Sequence, residues 1–471
     1  MTRTAFALPA LYATLLALSS AGAAAADLVD VFRQAQSSDA TYAAARSTWA
    51  AAQERIPQGR AGLLPLASLS ASAQQNDRNT RFRDASVPRT STDSGSTSVN
   101  LSVTQPIYRR QSVIVYEQAM TQVEQADAQL AAAAQDLILR VAQAYFDVLL
   151  AQDNVAFAEA QKTAIGQQLE QAKRNFEVGT STITDTHEAQ ARFDLTTAQE
   201  IAARNDLELR RRSLEQVIGR AAPPLAPLGP AFTLKTPEPA VMEPWVSLAQ
   251  KGNLQVRIAQ SSLTFSSQEI ARNRGAHYPT LDAFATLSES GSGSNSGGNL
   301  SSDTRNAVVG LQLALPIYQG GLINSRVREA IANEDRARQD LENARRSAEF
   351  SARQAFLGIT SGSAQVRALE AALVSTQSQL SSTRLGQEVG VRTQVDVLNA
   401  QQLLFSARRD LAQSKYNHIL SLLRLEAAIG ELTEGDLAAV NQWLDRGAAD
   451  GKRTVDELVA QPPGANRAIS R

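Results

Sequence analysis

A chain that writes one pattern twice is constrained towards a two-fold repeating architecture, and this chain does so over most of its length. Residues 101–219 recur at 311–430, about 211 positions later, with a slip of a single residue along the way. Gln105, Pro106, Ile107 and Tyr108 answer to Leu315, Pro316, Ile317 and Tyr318. Val178 and Gly179 answer to Val389 and Gly390, and Ile218 and Gly219 to Ile429 and Gly430. Upstream, Arg60 with Pro65 pairs with Arg274 with Pro279 at a slightly larger offset. Each repeat is therefore expected to build the same module.

Proline punctuates that module. None lies between Pro106 and Pro223 or between Pro316 and Pro462, where Ala, Gln, Glu, Arg and Leu dominate. Proline-free stretches of strong helix formers predict long helices. Each stretch is broken once, at Gly179 and at Gly390, with Thr or Ser following to cap a second helix. The result is a helical hairpin whose first arm, 111–177 or 322–386, would be about 100 Å long, and whose return arm, 182–218 or 393–429, only about 55 Å. The unpaired half of the long arm needs cover for its apolar stripe. The helical stretches 30–62 and 248–275, about 45 Å each, are expected to stack end to end on the return arms. Val397, Leu404 and Leu411 form one heptad line on a return arm and Leu398, Phe405, Ala412 and Ile419 an adjacent one, so it has two packing seams.

The segments between helices have period two. Ala67, Leu69, Ala71 and Ala73 alternate with Ser68, Ser70, Ser72 and Gln74, and Val99, Leu101 and Val103 alternate with Ser98, Asn100, Ser102 and Thr104. In the second repeat Leu281, Ala283, Ala285 and Leu287 share one face, as do Ala307, Val309, Leu311, Leu313 and Leu315. Four strands of about 10 residues with one apolar face have the length and pattern of bilayer-spanning strands. The polar stretches 76–95 and 289–302 join them as loops rich in Ser, Gly, Asn and Thr.

Composition and the chain start agree with export. Residues 1–26 run from a basic start through an apolar stretch to small residues, a secretory leader with cleavage near Ala26. The absence of Cys removes a disulfide framework, and no later apolar run reaches the 18 residues of a membrane helix. Entry into a membrane is left to a β-barrel, and since four strands cannot close one, oligomerisation is required. Periodicity does not choose three copies over two or four. The balance of 46 basic against 47 acidic residues gives no reason to expect nucleic acid. His187, His277 and His418 stand apart, with no HExxH and no Cys ligand set. The chain is expected to be neither an enzyme nor the holder of a metal or cofactor.

Four segments carry a family resemblance: FEVGTSTITD at 176–185, GVRTQVDVL at 390–398, RRDLAQSKYN at 408–417 and EGDL at 434–437. In this order, within a duplicated chain, they resemble the TolC family of outer-membrane channels over nearly the whole mature length. The resemblance implies a mainly α protein with a membrane β-barrel. Its homotrimer would have four strands per protomer in a 12-stranded barrel set in outer-membrane lipid, joined to a long α-helical periplasmic tunnel. It divides the chain into a leader (1–26), a first repeat (27–220), a Pro-rich equatorial linker (221–247), a second repeat (248–430), and a C-terminal equatorial segment with tail (431–471). It also implies a passive exit duct for small molecules, for type I protein secretion, or for both. A periplasmic adaptor (membrane fusion protein) and an inner-membrane transporter of ABC, RND or MFS type would recruit and energise it. The helices and leader would also suit a soluble periplasmic coiled-coil scaffold or adaptor, but that reading leaves the four strands unexplained.

The resemblance locates the chemistry at the hairpin tips. Asp396 matches the first aspartate of the family's constriction, while the second falls on Asn399. Thr184, Asp185 and Arg392 match residues that link neighbouring coiled coils in the closed state, and Gln387 stands where a tyrosine is expected. Val178, Gly179 and Thr180 of one turn, with Val389, Gly390 and Val391 of the other, are the expected adaptor-docking tips.

Overall fold

The structure is a computed structural model that describes residues 25–84, 86–294 and 301–445. The expected leader, apart from residues 25 and 26, and the tail beyond 445 lie outside the described residues. Two compact units are built by segments that alternate along the chain: the described residues within 1–46, 131–254 and 345–471 form one, and those within 47–130 and 255–344 the other.

The second unit holds a four-stranded antiparallel sheet in the order β1-β2-β3-β4. Its strands are β1 (Leu66–Thr80), β2 (Thr90–Tyr108), β3 (Thr280–Ser294) and β4 (Ser302–Ala314). The register places Leu69 opposite Leu101, Leu101 opposite Leu287, and Leu287 opposite Ala307, so one apolar row crosses all four strands. On the other face Ser68 meets Ser102, Oγ to Oγ at 2.7 Å, and Ser72 meets Ser98 at 2.8 Å. The apolar face is bare, with Val309, Leu311 and Leu313 exposed to 84%, 68% and 68%. Such a face is stable only in lipid or against another apolar surface. The strands reach 15, 19, 15 and 13 residues, longer than their apolar alternation. The ladder continues through Asn76–Ser94 to Thr80–Thr90, inside what hydropathy marks as loop. Backbone pairing and serine–serine bonds extend a strand without any apolar signal.

The long helices are α4 (Arg110–Glu177) and α8 (Leu322–Glu388), of 68 and 67 residues, and the return helices are α5 (Ile183–Ile218) and α9 (Gln394–Ile429), of 36 residues each. In the first unit, Val397, Leu404 and Leu411 of α9 are buried against Val366, Leu373 and Leu380 of α8, a seven-residue spacing on both partners. Leu169 and Ala172 of α4 do the same against Ala189 of α5, with Phe193 at the edge.

The short helices are more broken than their sequence pattern. Residues 28–61 form α1 (Leu28–Ser38), α2 (Ala40–Gln53) and α3 (Arg55–Ala61), and residues 242–275 form α6 (Met242–Gly252) and α7 (Leu254–Gly275). Asp39 leaves the helical region at ψ 118, and its Oδ1 accepts from the Tyr42 N–H at 2.6 Å, which caps α2. The Arg140 guanidinium grips the same carboxylate at 2.9 and 3.2 Å and holds it below the usual carboxylate range. Asn253 divides α6 from α7, with Nδ2 donating to the Ala428 carbonyl at 2.9 Å. These two breaks depend on residues far away in sequence, while a third, at Glu54, divides α2 from α3.

The largest core of the first unit gathers Leu28, Phe32, Tyr145, Phe146, Ile218 and Ile419 with Trp443 and with Leu437 and Val440 of α10 (Glu434–Asn441). The linker enters it through bridges pairing Ala26 with Leu225 and Leu228 with Leu444. Phe232 of the linker packs edge-on against both His418, at 6.4 Å, and Trp443, at 5.5 Å. His418 is fully buried with no hydrogen-bond partner among the described residues at either ring nitrogen, and burial depresses its pKa. The ammonium of Lys415 lies over the Phe232 ring and that of Lys235 over the Trp443 ring. A base whose folded pKa lies below its unfolded value makes folding less favourable once it is protonated. This contribution is therefore complete above the unfolded pKa, about 6.5, and is lost as pH falls from there towards the folded value. The melting temperature of the oligomer is expected to drop between pH 7 and 5.5, and His418→Leu should flatten that slope. An unchanged slope in the variant would place the titration elsewhere.

Candidate functional site

Each hairpin tip is made by the same local rules. The α4–α5 turn has Gly179 at φ +77, and the α8–α9 turn has Gly390 at φ +81. This left-handed geometry lets the turns close the helix ends: Thr180 N donates to Asn175 O at 2.8 Å and Val391 N to Gly386 O at 2.8 Å. Thr182 and Thr393 then cap the return helices in full capping boxes. Asp185 Oδ2 accepts from Thr182 N at 3.0 Å and Oγ1 at 2.9 Å. Asp396 Oδ2 accepts from Thr393 N at 2.9 Å and Oγ1 at 3.0 Å.

The box decides the charge of Asp396. The Thr393 N–H and hydroxyl hold its carboxyl below the usual range, and the Arg392 charge adds to the effect. An aspartate in a helix's first turn also meets the positive end of the helix dipole. The group is therefore a fixed anion, half-buried, one turn above the tip. Asn399 is exposed on α9, and its Oδ1 accepts from Arg192 Nη2 at 3.0 Å.

The expected link residues fall apart within one chain. Thr184 and Arg392 are exposed, and among the described residues no hydrogen bond joins Arg392 to Thr184 or Asp185. Gln387 takes a different partner, donating to Gln394 Oε1, while Gln394 Nε2 donates to Gln168 Oε1 at 2.7 Å. Three glutamines thus tie α8, α9 and α4 together. Val178, Val389 and Val391 are 72%, 65% and 75% exposed, so each turn presents apolar side chains beside its glycine. Thr180 Oγ1 folds back onto the Asn175 carbonyl at 3.0 Å.

Sequence reasoning did not single out Arg192, Gln168, Gln394 or Gln402. The one available signal is that Arg192 occupies the place held by Leu403 in the second repeat. Among the described residues no cluster of His, Cys, Asp or Glu could hold a metal, and no helix is long and apolar enough to cross a membrane.

A sheet with a bare apolar face, built by a chain that twice alternates a strand pair with a long helical hairpin, defines the protomer of an outer-membrane channel. The family described as outer membrane efflux protein matches residues 31–220 and 245–431. The chain is 36% identical to outer membrane protein TolC of Vibrio cholerae over 438 residues, which are 93% of this chain and 98% of that protein. It is 32% identical to the alkaline protease secretion protein AprF of Pseudomonas aeruginosa over 453 residues, 94% and 92% of the two. The outer membrane protein VceC of Vibrio cholerae shares the fold, with a TM-score of 0.71 at 18% identity over 86% of this chain and 96% of that one. The chain belongs to the outer membrane efflux protein family, that of TolC. It is an outer-membrane exit duct for efflux or type I secretion, a trimer whose protomers each give four strands to a 12-stranded barrel and whose helices lie in the periplasm.

Proposed function

We propose that the hairpin tips close the periplasmic end of this duct, with Asp396 of three protomers forming the constriction and the glycine turns receiving a periplasmic adaptor. The observation that carries the reading is the boxed, ionised Asp396 one turn above a glycine turn flanked by exposed valines. Three fixed carboxylates facing one axis attract counterions and select cations. Asn399 adds no acid one turn further along, so the closed channel holds divalent cations less tightly than a relative with aspartate at both levels. Thr184, Asp185 and Arg392, unjoined within one chain, are available to partners on a neighbouring protomer, while Gln387 works inside its own.

The channel works with an adaptor and an inner-membrane transporter, which on this reading is of ABC, RND or MFS type. Relatives named for TolC and for protease secretion match over more than nine-tenths of the chain, which supports one duct serving both small molecules and secreted proteins. On the same reading, residues 221–247 and 431–445 form the equatorial belt between the repeats 27–220 and 248–430. The soluble-scaffold reading fails on the bare apolar sheet, which has no place in water. Photo-crosslinkers at Val178 and Val391 are expected to capture the adaptor in cells, while one at exposed Leu209 is not. Equal capture at all three positions would remove the docking assignment.

A further inference from the structure

At the tip one guanidinium serves both repeats. Glu188 of α5 and Asn399 of α9 are twins, each three residues beyond its boxed aspartate. Arg192 contacts both: Nε donates to Glu188 Oε1 at 3.1 Å and Nη2 to Asn399 Oδ1 at 3.0 Å, while Nη1 reaches Gln402 Oε1 at 2.8 Å. Every nitrogen of the fork is engaged. The side chain is only 27% exposed, which favours a fixed geometry over a mobile surface charge.

We infer that Arg192 is a positioning residue that sets the charge of the second constriction level and clasps α9 to α5. The inference rests on the constriction reading of Asp396 and extends it. Asn399 and Gln402 are neighbours on one face of α9, so the fork spans most of a turn and resists both rotation and sliding of that helix along α5. The level carries an Arg192–Glu188 ion pair where the first level carries a lone acid. An aspartate at 399 would meet a guanidinium already in hydrogen-bond reach and form a charge-assisted pair with it. Asn399→Asp alone therefore adds little cation attraction, because the new carboxylate is held by the Arg192 guanidinium it shares with Glu188. Both acids act fully on the pore only once Arg192 is removed.

The test is a double-mutant cycle on the full trimer, reading divalent-cation block in single channels and the melting temperature of the oligomer. Asn399→Asp is expected to leave block within about twofold of wild type, and Asn399→Asp with Arg192→Gln to tighten it about tenfold. Arg192→Gln alone should raise closed-state conductance, and Arg192→Lys, which keeps the charge and loses the fork, should raise it as well. Asn399→Asp should raise the melting temperature with Arg192 in place but not in the Arg192→Gln background. Block tightened equally by Asn399→Asp with and without Arg192 overturns the inference. Asp396→Ala is the separate control: should it leave block unchanged, the constriction reading fails. The clasp is then judged on the melting cycle, where non-additivity supports it and additivity overturns it.

Discussion

Asp396→Ala is expected to weaken divalent-cation block of the closed channel by about tenfold and to reduce its preference for cations. The size follows from symmetry, since one substitution removes three charges that share an axis. The direction follows from the box. Hydrogen bonds from the Thr393 N–H and hydroxyl keep the carboxyl ionised, so protonation does not silence it at neutral pH. Those bonds also make Asp396 a cap of α9, so the alanine variant loosens the first turn as well as discharging the ring. Asp396→Asn separates the two effects, since it retains an oxygen that can accept from Thr393 while removing the charge. Block lost in the alanine variant but kept in the asparagine one would assign the role of Asp396 to the cap and not to the pore. The wild type itself is expected to be blocked less tightly than a relative with two acidic layers, because Asn399 supplies no charge and Arg192 and Glu188 beside it offset each other.

Gly390→Trp is expected to lower export in cells about tenfold or more while the trimer still assembles, the scale of losing a central interface position. Two local facts combine. A Cβ at Gly390 meets nothing within 4 Å, so a side chain can leave the backbone there without a clash at its first atom. The backbone sits at φ +81, where an L side chain costs about 1–2 kcal/mol, too little to unfold a trimer with this much buried core. Gly179 repeats both facts at φ +77, so Gly179→Trp should act in the same direction. Heat-sensitive trimer bands in detergent, measured beside export of a toxic small molecule, separate assembly from docking. Export undiminished in an intact trimer would show that the adaptor does not use these turns.

Features set by local physics were legible in the amino-acid sequence. The ends of α4, α5, α8 and α9 were marked by Gly179 and Gly390, which permit left-handed closure, and by Thr182 and Thr393, each three residues before the aspartate that completes its box. The seams of α9 were visible as Val397, Leu404 and Leu411 at seven-residue spacing, because burial on a helix repeats with its turn. Features set at a distance were not legible. The breaks at Asp39 and Asn253 depend on Arg140 and on the Ala428 carbonyl. Strand ends beyond the apolar alternation depend on backbone pairing and polar pairs such as Gln75 with Asp93 and Ser292 with Ser302, whose composition matches a loop. At the tip, Gln387 read as a lost tyrosine contact, whereas its amide joins Gln394 and, through it, Gln168. Arg192 carries no sequence signal beyond standing where the other repeat has Leu403, and the packing of α5 beside α9 brings it to Asn399.

The central claim is that a trimer of this chain is a membrane duct closed at its helical tips. Single-channel recording of the purified wild-type oligomer in a planar bilayer tests it most directly. Discrete, cation-preferring conductance steps that added divalent cations suppress are the expected result. An intact, detergent-extracted oligomer that inserts and yet gives no steps, or gives steps with no cation preference, would contradict it.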